Sequence, residues 1–251
     1  MNKQETINKL IDLGFKDIES VKKDLLKLES VKDILYKANC LVFESSSIDH
    51  KKRLALLKEV RKLSSKNESL FCVAHNLTLS TKVSREIGKN QNLIKDSHEA
   101  IELWKKIIDQ PLAINGLIFT YIDLGLIFSD YKLHSLALRY IEKGESLISE
   151  CQDDYAPLTK LYVAYAVVYS RINKYKKSNI YYDKVLDMAQ AKNDIRTLIP
   201  ILVNVAEYLI KIKDFNNAQI KCEKALKLSN KSGDNIYKPY IYHTLGHIYL
   251  N

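Results

Sequence analysis

The sequence predicts an all-α chain, an α-solenoid of antiparallel helix hairpins, and three observations carry that prediction. The 251 residues include only 7 Gly and 4 Pro. Gly supplies positive φ and Pro breaks helices, so their scarcity speaks against a loop-rich β-sandwich and for long helices. Hydrophobic residues make up 46% and charged residues 27%, a mix that can bury a core and still meet water. A pattern of large and small residues also returns at nearly constant spacing through the second half of the chain, which is how stacked repeats announce themselves.

Taken in order, residues 3–28 read as one or two short helices broken near Gly14. They make an N-terminal helical cap over residues 1–30, because a terminal repeat must hide one apolar face. Residues 31–45 and 49–64 read as a hairpin, with Ser46-Ser47 as its break and Asp49 near the cap of the second helix. Residues 68–88 and 92–109 read as the two helices of the next hairpin, in which Ala100, Trp104 and Ile107 give a small-large-apolar set. Pro111 and Gly116 punctuate the link that follows.

From there four segments stack in phase. The first reads Tyr121, Leu124, Gly125 and Phe128, then Ala137, Ile141 and Gly144. The second reads Tyr162, Tyr165, Ala166 and Tyr169, then Ser178, Tyr182 and Val185. The third reads Leu202, Val205, Ala206 and Leu209, then Ala218, Cys222 and Ala225. The fourth reads Tyr242, Leu245, Gly246 and Tyr249. The small residues Gly125, Ala166, Ala206 and Gly246 mark where two helices cross closely, and Ala137, Ser178 and Ala218 are expected to face the first three of them. A mid-helix Gly costs about 1 kcal/mol against Ala, which a close crossing offsets.

These segments resemble the tetratricopeptide repeat, in a long form with steps of 41, 40 and 40 residues between the small positions. The resemblance implies a right-handed superhelix. It divides the chain into degenerate hairpins over 31–117 and, over 118–251, three repeats plus the first helix of a fourth. It also implies a concave groove lined by Phe119, Ile122, Leu126, Lys160, Val163, Val167, Arg171, Val203, Glu207, Lys211, Tyr240, His243 and His247. Chaperone-binding members hold a C-terminal carboxylate with a polar clamp at such positions. Here Val163 and Val167 stand in two of those places, so the groove is expected to be apolar with a few charges at its rim. A protein or peptide segment is the partner such a groove suits.

The long form is similar to N-terminal arrays of bacterial signalling proteins, which implies a cytoplasmic regulatory domain joined to an effector such as a diguanylate cyclase (GGDEF) domain. The sequence stops inside the first helix of the fourth repeat. The expectation is a piece of a longer protein, with homodimerisation through the unpaired helix as the alternative. A peptide-binding receptor resembling quorum-sensing regulators is a further alternative, although residues 1–30 lack a clear helix-turn-helix signature.

The residues offer little chemistry of other kinds. Net charge is +9, but lysines alternate with acids, and the run Lys51-Lys52-Arg53 reads as a solvated helix face. The sixteen Tyr at helical spacing read as hairpin packing rather than a nucleic-acid platform. The pairs Asp153-Asp154 and Asp183/Asp187 read as solvated surface. His243 and His247, four apart, share a helix face; without a third ligand they read as groove lining or packing, and no metal or cofactor is expected. Cys40, Cys72, Cys151 and Cys222 are spaced too widely for a metal knuckle or redox pair. No apolar run approaching the roughly 18 residues of a membrane span is expected, the N-terminus lacks a signal-peptide core, and no phosphate-binding or hydrolase motif points to an enzyme.

Overall fold

Six of the thirteen described α-helices start where a side chain takes up free amide hydrogens. In this computed structural model, which describes residues 1–13, 21–45, 49–88, 92–110, 112–151 and 153–250, α1 (Lys3–Asp12) is capped by Asn2, whose side chain accepts from the Glu5 amide. After α2 (Lys22–Lys27), α3 (Val31–Glu44) opens on a reciprocal capping box between Ser30 and Asp33. Asp49 caps α4 (His50–Lys66) by accepting from the Lys51 and Lys52 amides, as the sequence suggested. Ser69 caps α5 (Leu70–Glu86), which is followed by α6 (Leu93–Lys106). Then come α7 (Ala113–Asp130), α8 (His134–Glu145), α9 (Tyr155–Arg171) and α10 (Tyr175–Ala191). Asp194 and Asp214 cap α11 (Ile195–Lys211) and α12 (Phe215–Ser232), and α13 (Lys238–Tyr249) comes last. The breaks expected near Gly14, at Ser46-Ser47 and at Pro111 lie outside the described residues.

No strand occurs among the described residues, and the architecture is an all-α solenoid. Consecutive helices from α3 to α12 pair as hairpins, and the first helix of each hairpin also packs on the first helix of the next along α3, α5, α7 and α9. Between α9 and α11 that packing lapses, and it resumes between α11 and α13. The apolar interior divides at the same place. One core runs from Ile7 to Val168, and a second holds Tyr182, Val185, Leu202, Ala206, Cys222 and Ile241. Ala166 belongs to the second core while its helix neighbours Ala164 and Tyr165 belong to the first.

Three of the four small positions of the repeat are helix crossings, and Gly246 departs from the expectation. A Cβ on Gly125 would lie 2.9 Å from the Ala137 carbonyl oxygen and 2.8 Å from Ile141 Cγ1. In the next hairpin Ser178 Oγ donates to the Ala166 carbonyl at 2.8 Å, and Ala206 and Ala218 are both fully buried. Gly246, at the same register on α13, would meet no atom within 4 Å. Upstream, Gly116 exists because the Trp104 ring takes the space of its Cβ, 2.5 Å away. That ring donates through Nε1 to Thr78 Oγ1 at 3.2 Å, and Thr78 in turn bonds Thr120 at 2.9 Å.

The short turns share one geometry. Lys132, Asn173 and Lys213 have φ of 62°, 59° and 63°. In each turn the following amide reaches back five residues: Leu133 to Phe128, Lys174 to Tyr169, and Asp214 to Leu209. This is the left-handed Schellman ending of an α-helix.

The chain does contain a helix of span length, which corrects the expectation that no apolar run approaches it. α7 has 18 residues with a mean hydropathy of 1.3, and 61% of that stretch is buried. Its apolarity has a local cause, since α5, α6, α8 and α9 all pack around it.

Candidate functional site

The first helices of the hairpins present one register toward a common face. From α7 come Phe119 and Leu126, and from α9 Lys160, Val163 and Val167, all half-buried. Arg171, Glu207, Lys211, His243 and His247 are exposed, and Tyr240 is 62% exposed. One of the residues expected in the groove is not available there, and a second is nearly sealed. Ile122 is fully buried. It is turned toward α8, where its Cγ1 would come within 3.3 Å of a Cβ on Gly144, so packing inside the hairpin claims it. Val203 is only 3% exposed and sits at the bottom of a cavity.

That cavity shows that the face is concave. It holds about 570 Å³ and is lined from one side by His50 at the start of α4 and Glu86 at the end of α5. From the other side come Pro200, Val203, Asn204 and Glu207 of α11, with Ile236, Tyr237 and Tyr240. His50 Nδ1 and Glu86 Oε2 lie 3.4 Å apart. The array therefore bends until its early hairpins look across at its late ones. A smaller recess of about 220 Å³ lies between α11 and α13, lined by Glu207, Ile210, Lys211, His243, Thr244 and His247. The two His rings are 4.6 Å apart, but no group of three or more His, Cys, Asp or Glu side chains is placed to hold a metal among the described residues.

Charges stand at the helix ends along the groove, and one ion pair lies deeper, which the expectation of an apolar lining did not include. Asp130 at the end of α7 is shared between two arginines, accepting from Arg85 of α5 and from Arg171 Nη1 at 2.7 Å. Arg171 also donates to Ser129 Oγ at 2.9 Å, and Ser129 lies 3.4 Å from His134 Nδ1. Burial alone would raise the Asp130 carboxyl, but Arg85 and Arg171 outweigh it and hold it below the usual range. One layer deeper, Lys160 Nζ donates to Asp123 Oδ2 at 2.7 Å and stands 4.9 Å over the Phe119 ring. Desolvation lowers the Lys160 pKa, against the pull of Asp123 and with the help of the nearby charges of Lys82 and Arg85. Its apolar housing makes the ammonium costly, and one carboxylate does not fully compensate.

Sequence reasoning missed Asp123, Lys82 and Arg85. The signal for Arg85 was present. Counted five residues past Ser80, Gly125, Ala166 and Ala206, the small positions of α5, α7, α9 and α11, the chain places Arg85, Asp130, Arg171 and Lys211, and the first three alternate in sign. The tyrosines went where packing predicts. Tyr165 and Tyr169 both stack on Tyr181, with centroids 4.8 and 5.7 Å apart, and Tyr165 donates to Glu145 at 2.6 Å.

Helix hairpins of this length, crossing at small residues and curving around a groove, define a tetratricopeptide-type repeat fold. Solved structures agree with that class. Aspartyl phosphate phosphatase F of Bacillus subtilis superposes with a TM-score of 0.63 at 14% identity, covering 96% of this chain and 77% of that one. BtubC (BKLC) of P. vanneervenii gives 0.60 at 15% identity over 81% and 84%. A Rap protein complexed with Competence and Sporulation Factor gives 0.56 at 12% over 98% and 70%. No protein-family model matches the sequence, and no curated protein matches it.

Proposed function

We propose that this chain is a non-catalytic binding repeat that holds a peptide or extended protein segment along the inner face of α5, α7, α9, α11 and α13. The observation that carries the reading is the cavity closed by His50 and Glu86 on one side and Val203, Glu207 and Tyr240 on the other. It makes the inner face a bounded groove rather than an open surface, and a groove of this shape suits a linear segment. A Rap protein of similar fold is found complexed with Competence and Sporulation Factor, which is consistent with a bound partner. Coupling of the groove to an effector such as a diguanylate cyclase, and the cytoplasmic setting, rest on the sequence resemblance alone.

The reading is tested by placing a photo-crosslinking amino acid at Val167 on the inner face and, separately, at Asp183 on the exposed side of α10. Crosslinks to a polypeptide from position 167 alone are expected. Equal capture from both positions, or none from 167, refutes it. A second reading, self-association, is favoured by α13, where Tyr242, Tyr249 and Leu250 are 55%, 69% and 86% exposed and Gly246 faces open space. Light scattering across concentrations separates the two, because a monomer throughout leaves only the groove.

A further inference from the structure

The cations of the inner face outnumber its carboxylates. Lys82 and Arg85 of α5, Lys160 and Arg171 of α9, and Lys132 in the turn after α7 gather around Asp123 and Asp130. Lys82 Nζ stands 4.7 Å over the Phe43 ring rather than beside a carboxylate. Next to Arg171 a cavity of about 370 Å³ is lined by Ser129, Asp130, Lys132 and His134. Like charges this close in a partly dry groove repel, and an incoming anion relieves that repulsion. It needs no new cavity to do so.

We infer that the segment held in the groove is acidic where it crosses α5, α7 and α9, its carboxylates pairing with Lys82, Arg85, Lys160 and Arg171. The inference rests on the reading that the groove holds a segment at all. The occupant is a polypeptide rather than a nucleic acid because Leu126, Val163 and Val167 stand half-buried among the cations and need aliphatic partners, which a phosphate backbone lacks. The Phe43 and Phe119 rings at this point are already covered by the Lys82 and Lys160 ammoniums and offer no stacking platform for a base. The arrangement also resolves the chemistry of Lys160. A second carboxylate beside it offsets the desolvation that one carboxylate leaves partly uncompensated.

The experiment uses the full chain and a fluorescein-labelled peptide alternating glutamate and leucine, with a twin in which glutamine replaces glutamate. Binding is followed by fluorescence anisotropy. The glutamate peptide is expected to bind at least about tenfold more tightly than its twin, the scale of one or two charged hydrogen bonds. Lys160→Met and Arg171→Gln are expected to weaken it by about tenfold each. Lys82→Gln breaks no ion pair among the described residues and keeps the test decisive if Lys160→Met fails to fold. Lys224→Gln with Lys227→Gln on exposed α12 positions is expected to change nothing. Equal binding of the two peptides, with Val167 still crosslinking them, overturns the acidic segment and leaves the groove reading intact. Binding of neither peptide counts against both. Displacement by oligothymidylate at the same variants, or equal weakening by the α12 controls, overturns the inference as well.

Discussion

Adding one methyl group at equivalent positions of two repeats should raise stability at one and not at the other. Gly125 and Gly246 share a register, but a Cβ at 125 lies 2.9 Å from the Ala137 carbonyl oxygen and a Cβ at 246 lies near nothing. The Ile141 side chain, 2.8 Å away, can rotate. The carbonyl is backbone and cannot move without parting α7 from α8. Overpacking of this kind costs about 1–3 kcal/mol, while exchanging Gly for Ala in a helix returns about 1 kcal/mol. Gly125→Ala is therefore expected to be neutral to about 2 kcal/mol destabilising. Gly246→Ala keeps only the gain, up to about 1 kcal/mol, and it should appear first as slower hydrogen exchange in the amides of α13. In a chain of this size each kcal/mol moves Tm by about 2–4 °C, which circular dichroism melting resolves. A Gly125→Ala melt raised as far as that of Gly246→Ala would show that the crossing is not tight, and the account of the repeat's small position would fail.

Other expectations follow from single residues. His75 packs half-buried against Tyr36, with ring centroids 4.7 Å apart, and desolvation lowers its pKa to about 4. The unfolded chain therefore takes up this proton first. The stability tied to His75 is complete above pH 6.5 and falls as pH drops toward 4, by roughly 3 kcal/mol at most. Urea midpoints measured across that window should flatten in His75→Phe, and an unchanged slope would contradict the assignment. Lys213 holds φ of 63° at a helix ending where Gly is preferred, so Lys213→Gly should raise stability by about 1 kcal/mol. A lower melting temperature would show that the Lys213 side chain makes a contact worth more than the backbone gain.

How far the fold could be read depended on what each position is for. The small residues 125, 166 and 206 were legible because close crossings leave few alternatives, and the capping role of Asp49 was legible because free amides demand an acceptor. The groove was harder. Ile122 and Val163 occupy the same register, yet Ile122 is sealed against α8 while Val163 stays half-exposed. The difference lies inside the hairpin, where Gly144 of α8 leaves room for Ile122 and the second repeat has Val185 at the matching place. The Asp123–Lys160 pair escaped because it crosses between hairpins. Asp123 and Lys160 are 37 residues apart, and each looks like an isolated charge until two hairpins are laid side by side. The alternation of Arg85, Asp130 and Arg171 could have been seen, because those residues repeat in register.

The bend that sets His50 and Glu86 opposite α11 also sets the width of the space between them. A segment lying along the inner face would pass between two walls, His50 and Glu86 on one side and Val203, Glu207 and Tyr240 on the other. At the junction of α9 and α11 the first-helix packing thins and the two cores meet, so the distance between those walls depends on the angle the array takes there.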